Sequence, residues 1–426
     1  MMINRSLRLL LPAQFLSSLA DSALLIAAIA LLLDIQAAPW MTPALKLLFN
    51  GAYVLLAVAA GACADALPKS WVMVLANAIK AAGCALMLLG MHPLAAYALV
   101  GLGAALYSPA KFGILGELLP ARQLVAANGW LEGTTIIAII LGSIVGGLLL
   151  RPDVLLAAAA FIDEEGKQLA QRPAHFSIAA MALLYLAATV LSLFIPRPVR
   201  AAPRQRAGPG RLTAAFARSA RALWSDPLSR ISLAVTALFW GAGTVLQFIV
   251  LKWAAVALGY SLGQAAMLQG AVAVGVAAGA FAAGRFVPLK KAFRVLPLGI
   301  LMGLLLVLMI WVSDVRAALA LLLLIGFVSG YFLIPMNAVL QHRAQRMMHT
   351  GQSIAVQNFL ENLAVLGMLA GYAALVWLDV PVRWLILLLG GFIAAIMVLL
   401  TRSLPHEGIP MEAAPERAQG PARRRE

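Results

Sequence analysis

The stretch GAALYSPAKFG (Gly103–Gly113), followed by ANGWLE (Ala127–Glu132), has a counterpart later in the chain. The counterpart is GYFLIPMNAVL (Gly330–Leu340), followed by VQNFLE (Val356–Glu361). Both copies place Gly, an aromatic residue, Pro and Glu in the same order, with 23 residues from Pro to Glu in the first copy and 26 in the second. A repeat of this kind predicts two similarly built halves joined in tandem.

The amino-acid composition predicts that both halves lie in a membrane. The 426 residues are 63% hydrophobic and 12% charged, with a mean hydropathy of +0.93, which is typical of a polytopic membrane protein. A helical span needs about 20 mostly apolar residues. Breaking the chain at Pro, Gly and charge clusters gives twelve spans, at 9–33, 43–64, 70–90, 93–116, 126–150, 175–195, 229–256, 263–286, 294–312, 316–339, 352–378 and 383–402. The predicted fold is therefore an all-α integral membrane protein with two pseudo-symmetric six-helix halves.

The same pattern divides the chain into four parts. These are an N-terminal half (1–195), a basic linker (196–228), a C-terminal half (229–403) and a disordered tail (404–426). Within the linker, Leu212, Phe216, Leu223 and Trp224 alternate with Arg residues. This pattern predicts an amphipathic helix that lies on an anionic lipid surface.

The positions of the basic residues predict the orientation. If the N-terminus is cytoplasmic, 23 of the 32 Lys and Arg residues lie in cytoplasmic segments and six lie in outer loops. The other three, Lys80, Lys111 and Lys252, fall inside spans. Because cytoplasmic loops are enriched in Lys and Arg, we expect both termini in the cytoplasm. This distribution also explains the net charge of +15 without a nucleic-acid partner.

No pattern in the chain predicts an enzyme, a metal site or a cofactor site. Cys63 and Cys84 fall within spans, and the five His residues have no metal-ligand spacing. None of the five is followed five residues later by Asp, the spacing of membrane glycerolipid acyltransferases.

Several motifs indicate a family. GACADALPK (Gly61–Lys69), which contains Asp65, resembles the loop between the second and third spans of the major facilitator superfamily. More specifically, five stretches resemble bacterial lysophospholipid transporters, in the same order and over nearly the whole chain. These stretches are AQFLSSLADSALL, YSPAKFGILGELLP, AANGWLE, LFWGAG and AVQNFLEN.

The resemblance implies a function. Such proteins move lysophospholipids, such as lysophosphatidylethanolamine and lysophosphatidylglycerol, from the outer to the inner leaflet of the bacterial inner membrane. A separate acyltransferase and acyl-carrier-protein synthetase then reacylate them, and the family does not depend on the proton-motive force. We expect a monomer that binds its substrate and membrane lipids. Two alternatives remain: a proton-coupled exporter of small soluble solutes, with Asp21 as the titrating group, and a non-transporting scaffold for lipid enzymes.

The first span carries the clearest candidate site. Gln14, Ser17, Ser18 and Asp21 have the spacing of one helix face, so the carboxylate belongs to a polar stripe turned towards the bundle interior. An ionised side chain near the bilayer centre costs roughly 2.5–3.5 kcal/mol on insertion scales and is usually functional. The alternative is a structural Asp that is satisfied by Ser hydroxyls and backbone groups.

The fourth span offers the opposite charge. Tyr107 and Lys111 lie one turn apart, with Lys111 roughly 9 Å and Asp21 roughly 18 Å from the inner surface. Either Lys111 snorkels to that surface, or it faces the interior. In the second case, a lipid head group fits between them, with its phosphate at Lys111 and its amine at Asp21.

Carboxylates at equivalent positions of the two halves are candidate gating residues. Glu132 and Glu361 lie near the inner ends of spans five and eleven, where members of this superfamily often close the cytoplasmic side through bonds between the halves. Asp65 and Gln357 are assigned to the same gate. The alternative is a carboxylate that is satisfied by a helix dipole.

Five further side chains are weaker candidates for substrate contact. The resembled family has an Arg where this chain has Gln247, and Lys252 lies roughly 140° further round the helix, so it cannot simply replace that Arg. The other three are Lys80 in span three, Asn77 one turn before it, and Asn337 in span ten, residues that more often serve packing than ligand contact. We expect a cavity between the halves, lined by spans 1, 4, 5, 7, 8, 10 and 11, that opens sideways to admit an acyl chain.

Overall fold

The computed structural model describes residues 5–38, 41–150, 172–196, 209–260, 262–348 and 350–404, and the regular structure within these ranges is helical. Eleven helices are long and apolar enough to cross a membrane, and one bent pair makes a twelfth span. The predicted twelve-helix fold is thus confirmed. The helices are α1 (Arg5–Asp34), α2 (Met41–Leu55), α3 (Ala57–Ala66), α4 (Lys69–Leu88), α5 (Pro93–Leu118), α6 (Ala121–Leu148), α7 (Pro173–Leu193), α8 (Pro209–Ser225), α9 (Pro227–Leu258), α10 (Leu262–Phe286), α11 (Pro297–Leu308), α12 (Val315–Met347), α13 (Thr350–Trp377) and α14 (Val382–Arg402).

Helix starts follow from local sequence chemistry. Pro93 and Pro173 occupy the first turns of α5 and α7, where the missing N–H breaks no helical hydrogen bond. Asp226 and Asp314 cap α9 and α12, and each carboxylate accepts from a backbone N–H of the first turn, at 2.9 and 3.0 Å respectively. The ninth span is composite, because short 3₁₀ segments flank α11.

Two spans differ from their predicted form. The second is broken at Leu56 into α2 and α3, which meet at an angle of 58°. The bend brings α3 against the start of α13, where a Cβ on Gly61 would lie 2.8 Å from the Ala355 side chain. The tenth span extends to Met347, eight residues beyond its predicted end at 339.

The packing of the helices repeats between the halves. In the N-terminal half, α1 packs on α6, α2 on α5, and α4 on α7. The corresponding helices of the C-terminal half pair in the same way, with α9 on α13, α10 on α12, and α11 on α14. The halves meet where α6 packs against α10 and where α13 packs against α3 and α5.

The linker helix α8 lies at the end of the bundle where α1 begins, which we call the linker end. Its apolar face is covered by protein: Leu223 is fully buried, and the Phe216 ring packs against Phe359 of α13 with centroids 5.8 Å apart. Trp224 is exposed. The apolar side chains expected to face lipid therefore largely contact α13 and its neighbours instead. The start of the linker (197–208) and the tail (405–426) lie outside the described residues.

Candidate functional site

Asp21, the predicted site carboxylate of α1, lies in an ion pair inside the N-terminal half. Lys80 of α4 donates to both carboxylate oxygens at 2.8 Å, and the Tyr185 hydroxyl of α7 donates to Oδ1 at 2.7 Å. Lys80 is 1% exposed, whereas the Asp21 side chain is 24% exposed. The carboxylate is therefore charge-paired with a buried ammonium and remains partly exposed.

The polar stripe of α1 continues this network. Ser17 accepts from Lys80 at 3.1 Å and donates to Asn77 at 2.8 Å. Gln14 donates to Ser18 at 2.7 Å and to Thr135 of α6 at 3.0 Å. The stripe thus faces neighbouring helices of its own half, as its spacing predicts, and it ties α1 to α4 and α6.

Tyr107 adds an aromatic surface to this cluster. Lys80 Nζ lies 5.1 Å from the centroid of the Tyr107 ring, a distance at which a cation is attracted to the ring face. Among the described residues, the buried Tyr107 hydroxyl makes no hydrogen bond of normal geometry, and the Asn77 side chain lies near it. An unpaired buried hydroxyl is costly, so this group is available to a ligand or a water molecule.

Lys111 of α5 is a cation without an ion pair among the described residues. Its ammonium lies 4.7 Å from the centroid of the adjacent Phe112 ring and makes no hydrogen bond within that part of the chain. It is close enough to interact electrostatically with three interior carboxylates: Asp21, Glu132 and Glu361. Lys111 therefore faces the interior between the halves rather than snorkelling to the linker end.

The C-terminal half contains its own polar cluster. Gln357 of α13 donates to Asn337 of α12 at 2.8 Å and to Glu361 at 2.7 Å. All three side chains are less than 9% exposed. Glu361, a predicted gating residue, is thus held within its own half in this conformation.

Glu132 of α6 is the unpaired counterpart of Glu361. Within the described ranges it makes no hydrogen bond or ion pair, and it lines a cavity of about 230 Å³. Gln247 of α9 and Gln269 of α10 also line the cavity, whereas its lining residues from α11, α12 and α14 are apolar apart from Ser329. Lys252, the other candidate on α9, does not line this cavity.

The two halves are joined near the linker end. Asp65 of α3 accepts from the backbone N–H groups of Gly351 and Gln352, at 2.7 and 3.0 Å, and so caps the start of α13. Deeper in the bundle, Asn128 and Gln341 exchange two hydrogen bonds of 2.9 Å between α6 and α12. These bonds close one end of the space between the halves.

A second contact closes the α6–α10 side of this end. A Cβ on Gly129 would lie 2.6 Å from the carbonyl oxygen of Ala280 and 3.0 Å from the Cα of Gly284, so the two helices touch through their backbones. Beside it, the rings of Trp130 and Phe281 pack edge to face with centroids 4.9 Å apart. The cavity at Glu132 begins just beyond this contact, on the side away from the linker end.

Sequence reasoning missed the partners of Asp21. The sequence pattern favours Lys111 over Lys80 as the interior cation and gives no prediction for Tyr185 or for the Asn128–Gln341 pair. One signal was available: Lys80 lies about ten residues, or roughly 15 Å, from the inner end of its predicted span, close to the roughly 18 Å of Asp21. In the part of the chain that the structure describes, no three His, Cys, Asp or Glu residues form a potential metal site.

The structure has two similarly built six-helix halves around a charged interior that is closed at one end. This arrangement is typical of a membrane transporter. The profile of the Major Facilitator Superfamily matches residues 10–366. The proteins named lysophospholipid transporter LplT of Yersinia pestis (strain Pestoides F) and of Yersinia pseudotuberculosis serotype O:3 (strain YPIII) are each 41% identical over 382 residues, covering 89% of this chain and 89% of the relative. The chain belongs to the Major Facilitator Superfamily and, within it, to the family of these transporters.

Solved structures show the same fold. The human organic anion transporter MFSD10 (TETRAN) aligns with a TM-score of 0.71 at 18% identity, over 94% of this chain and 100% of that chain. The fucose:proton symporter FucP of E. coli aligns with a TM-score of 0.71 at 14% identity, over 94% of this chain and 99% of that chain. At these identities the likeness concerns the fold alone.

Proposed function

We propose that the protein transports lysophospholipids between the leaflets of a bacterial inner membrane. The observation that carries the proposal is Lys111, an interior ammonium with no ion pair among the described residues, close to a largely apolar cavity. A lysophospholipid combines a phosphate with an acyl chain, and these two features match an ammonium and an apolar cavity. The 41% identity to proteins named lysophospholipid transporter supports the same substrate class.

The head-group phosphate binds at Lys111 in this proposal. Charge-assisted hydrogen bonds to phosphate contribute roughly 1.5–3 kcal/mol each. For an ethanolamine amine, the interior offers two carboxylates. Asp21 retains an exposed side but already has Lys80 and Tyr185 as partners, whereas Glu132 has no partner in the described ranges.

We propose transport from the outer to the inner leaflet, the direction that the resemblance to lysophospholipid transporters implies. The excess of Lys and Arg assigns the linker end to the cytoplasm. The closed linker end then corresponds to a state that is shut towards the cytoplasm, and it fits uptake from the outer leaflet. We further propose that the protein acts as a monomer and delivers its substrate to a separate acyltransferase and acyl-carrier-protein synthetase.

Reconstituted vesicles test this function. The purified full-length protein is placed in liposomes with fluorescent lysophosphatidylethanolamine, and the fraction of lipid that becomes protected from an external quencher is measured over time. We expect protection to rise faster than in protein-free vesicles, and equally fast after a protonophore is added. The absence of protein-dependent movement favours the scaffold alternative, and movement that stops with the protonophore favours a proton-coupled mechanism.

A further inference from the structure

We propose that Lys46 of α2 is the entry site for the head-group phosphate of a lysophospholipid, at the end of the bundle opposite the linker end. The inference rests on the proposed function and deepens it, because it names the group that meets the substrate before Lys111 does. Asn50 and Tyr53 continue from Lys46 towards the interior, and we call these three side chains the α2 stripe.

The α2 stripe occupies a face of the helix that meets neither α5 nor lipid. At about 100° per residue, Lys46, Asn50 and Tyr53 lie within about 60° of one another. A different face contacts α5, since a Cβ on Gly101 of α5 would lie 2.9 Å from the Cα of Phe49. Large exposed apolar side chains occupy a third face, about 150° from the stripe, and these are Leu47, Leu48 and Leu55. Lys46 is therefore not a cation that merely snorkels from the lipid-facing side of α2.

Tyr53 shows what the stripe faces instead. It lies close enough to interact electrostatically with Asp21 of α1 and with Glu361 of α13. These two carboxylates belong to different halves, so the inner end of the stripe borders the space between the halves. Within the described ranges, the three side chains of the stripe make no hydrogen bond or ion pair. Their polar groups are thus available to a ligand.

The depth of Lys46 matches that of a lipid phosphate. Measured along the helix axis, it lies five residues, or roughly 7.5 Å, from Met41, the first residue of α2. The head-group region of a bilayer is about 5–8 Å thick on each side of the hydrocarbon core. Tyr53 lies roughly 10 Å further along the helix. The stripe thus leads from the head-group layer to the level of the interior carboxylates.

The bend after α2 leaves space beside Lys46. α3 touches α13 through Gly61, whereas the axis of α2 turns away from that of α3 by 58°. α13 accordingly packs more closely on α3 than on α2. The Lys46 side chain is exposed, so its ammonium can be reached from the end opposite the linker end.

The distance to Lys111 explains why a second cation is useful. Lys111 lies 18 residues, or roughly 27 Å, from the first residue of α5, so the two ammonium groups differ in depth by roughly 20 Å. Charges in water are screened over about 8 Å at physiological ionic strength. The attraction of Lys111 for a phosphate is therefore largely lost at the membrane surface, where Lys46 supplies it.

The first experiment measures protection of Lys46 in the unmodified protein. The protein, in maltoside micelles that carry no phosphate, is treated with an impermeant amine-acylating reagent, and the modified lysines are quantified by mass spectrometry. We expect lysophosphatidylglycerol to slow acylation of Lys46 at least 3-fold. Lys290, an exposed lysine near the linker end, is the internal control and should react at an unchanged rate. Monoacylglycerol, which has no phosphate, glycerophosphoglycerol, which has no chain, and diacyl phosphatidylglycerol should not protect Lys46 at the same concentration.

The second experiment measures the KM of lysophosphatidylglycerol movement in liposomes of an uncharged galactolipid. Lys46→Gln should raise KM about 2- to 5-fold, the range for one partly solvated ion pair, and leave the maximal rate unchanged. Lys46→Arg keeps the charge and should restore the KM of the parent. Arg383→Gln is the matched control, because Arg383 is exposed at the start of α14, which packs on α9 and α11 away from the stripe. Raising the salt concentration to 0.5 M should remove the difference between Lys46→Gln and the parent.

The outcomes separate the entry site from the proposed function. If the unmodified protein moves lysolipid but Lys46 reacts equally fast with and without lysophosphatidylglycerol, the entry site is wrong and the function stands. Equal protection by monoacylglycerol, glycerophosphoglycerol or diacyl phosphatidylglycerol, an unchanged KM in Lys46→Gln, or an equal rise in Arg383→Gln leads to the same conclusion. Absence of lysolipid movement by the unmodified protein overturns the function and the entry site together. The protection experiment needs no variant, so a folding defect of Lys46→Gln does not affect it.

Discussion

The ion pair between Asp21 and Lys80 leads to a prediction that separates a structural carboxylate from a substrate contact. We expect Lys80→Met and Asp21→Asn each to destabilise the protein, and the double variant Asp21→Asn/Lys80→Met to recover most of that loss. The reason is that removing one partner leaves the other charge uncompensated in the interior, whereas removing both leaves no buried charge at this site.

The exposure of the two side chains sets the magnitude. Breaking a buried pair costs roughly 3–5 kcal/mol. Asp21 is 24% exposed and keeps its hydrogen bond from Tyr185, so we expect the lower end, about 3 kcal/mol, for Lys80→Met. Lys80 is 1% exposed, so Asp21→Asn, which leaves the ammonium in place, should cost about 5 kcal/mol. The double variant should lie within about 1–2 kcal/mol of the parent, because buried pairs are often replaceable by neutral groups.

Two measurements on the same four proteins test this prediction. Unfolding by SDS titration in mixed micelles gives the free energy of unfolding of the parent, both single variants and the double variant. Lysolipid movement in liposomes gives their activity. Single losses of about 3 and 5 kcal/mol and a double loss of about 1–2 kcal/mol imply a coupling free energy of about 6–7 kcal/mol. We expect transport by the double variant within about 3-fold of the parent.

Each measurement has an outcome that contradicts the reasoning. Single variants within about 0.5 kcal/mol of the parent show that the pair does not stabilise the fold. A double variant that is stable but inactive towards lysophosphatidylethanolamine shows that Asp21 contacts the head group, as its position in the sequence predicts. The pair Lys69–Glu117 near the linker end provides a control, because Lys69→Met/Glu117→Gln neutralises a pair that lies away from the interior carboxylates.

Three further changes have defined outcomes. Lys111→Ala should weaken binding of phosphate-bearing lysolipids about 10- to 150-fold in an equilibrium binding assay, and a loss equal to that of Lys252→Ala contradicts the assignment. Glu132→Gln should reduce the preference for lysophosphatidylethanolamine over lysophosphatidylglycerol in a competition assay, whereas Glu361→Gln, whose carboxylate already has a partner, should leave that preference unchanged. Asp65→Ala removes a helix cap worth about 0.5–2 kcal/mol. It should therefore increase the labelling of cysteines placed beneath the closed linker end. Unchanged labelling rules out a role of Asp65 in closure.

The sequence predicts the number and the order of the spans well because local sequence patterns determine them. Apolar runs of about 20 residues mark spans, and Pro and Gly mark their ends. The break at Leu56 was not predicted, since no Pro marks it and the apolar run continues through it. The partner of α8 was also missed, because an amphipathic helix has the same pattern whether its apolar face meets lipid or, as at Leu223, protein.

The site was only partly predictable for a related reason. Periodicity gives the face on which a side chain lies, and Gln14 and Asp21 lie, as predicted, on a face of α1 that contacts neighbouring helices. It does not give the order of helices around the bundle. Asp21 therefore forms its ion pair with Lys80 of the adjacent α4, which lies at a similar depth, and not with Lys111. The depth of Asp21 in the membrane limits which Lys residues could pair with it. Which of these Lys residues does pair with it depends on which helices are neighbours.

The two equivalent carboxylates have different partners in the two halves. The reason is the length of the side chain one helical turn before each of them. Gln357 precedes Glu361 by four residues, and its amide reaches the carboxylate one turn away at 2.7 Å. Asn128 occupies the same position before Glu132 but is one methylene shorter, and its amide instead bonds the Leu124 carbonyl at 2.9 Å and Gln341 of the other half. Glu132, which lines the cavity, is consequently left without a local partner among the described residues. The internal repeat fixes where both carboxylates lie, whereas the residue four positions earlier decides which of them has a hydrogen-bond partner one turn away.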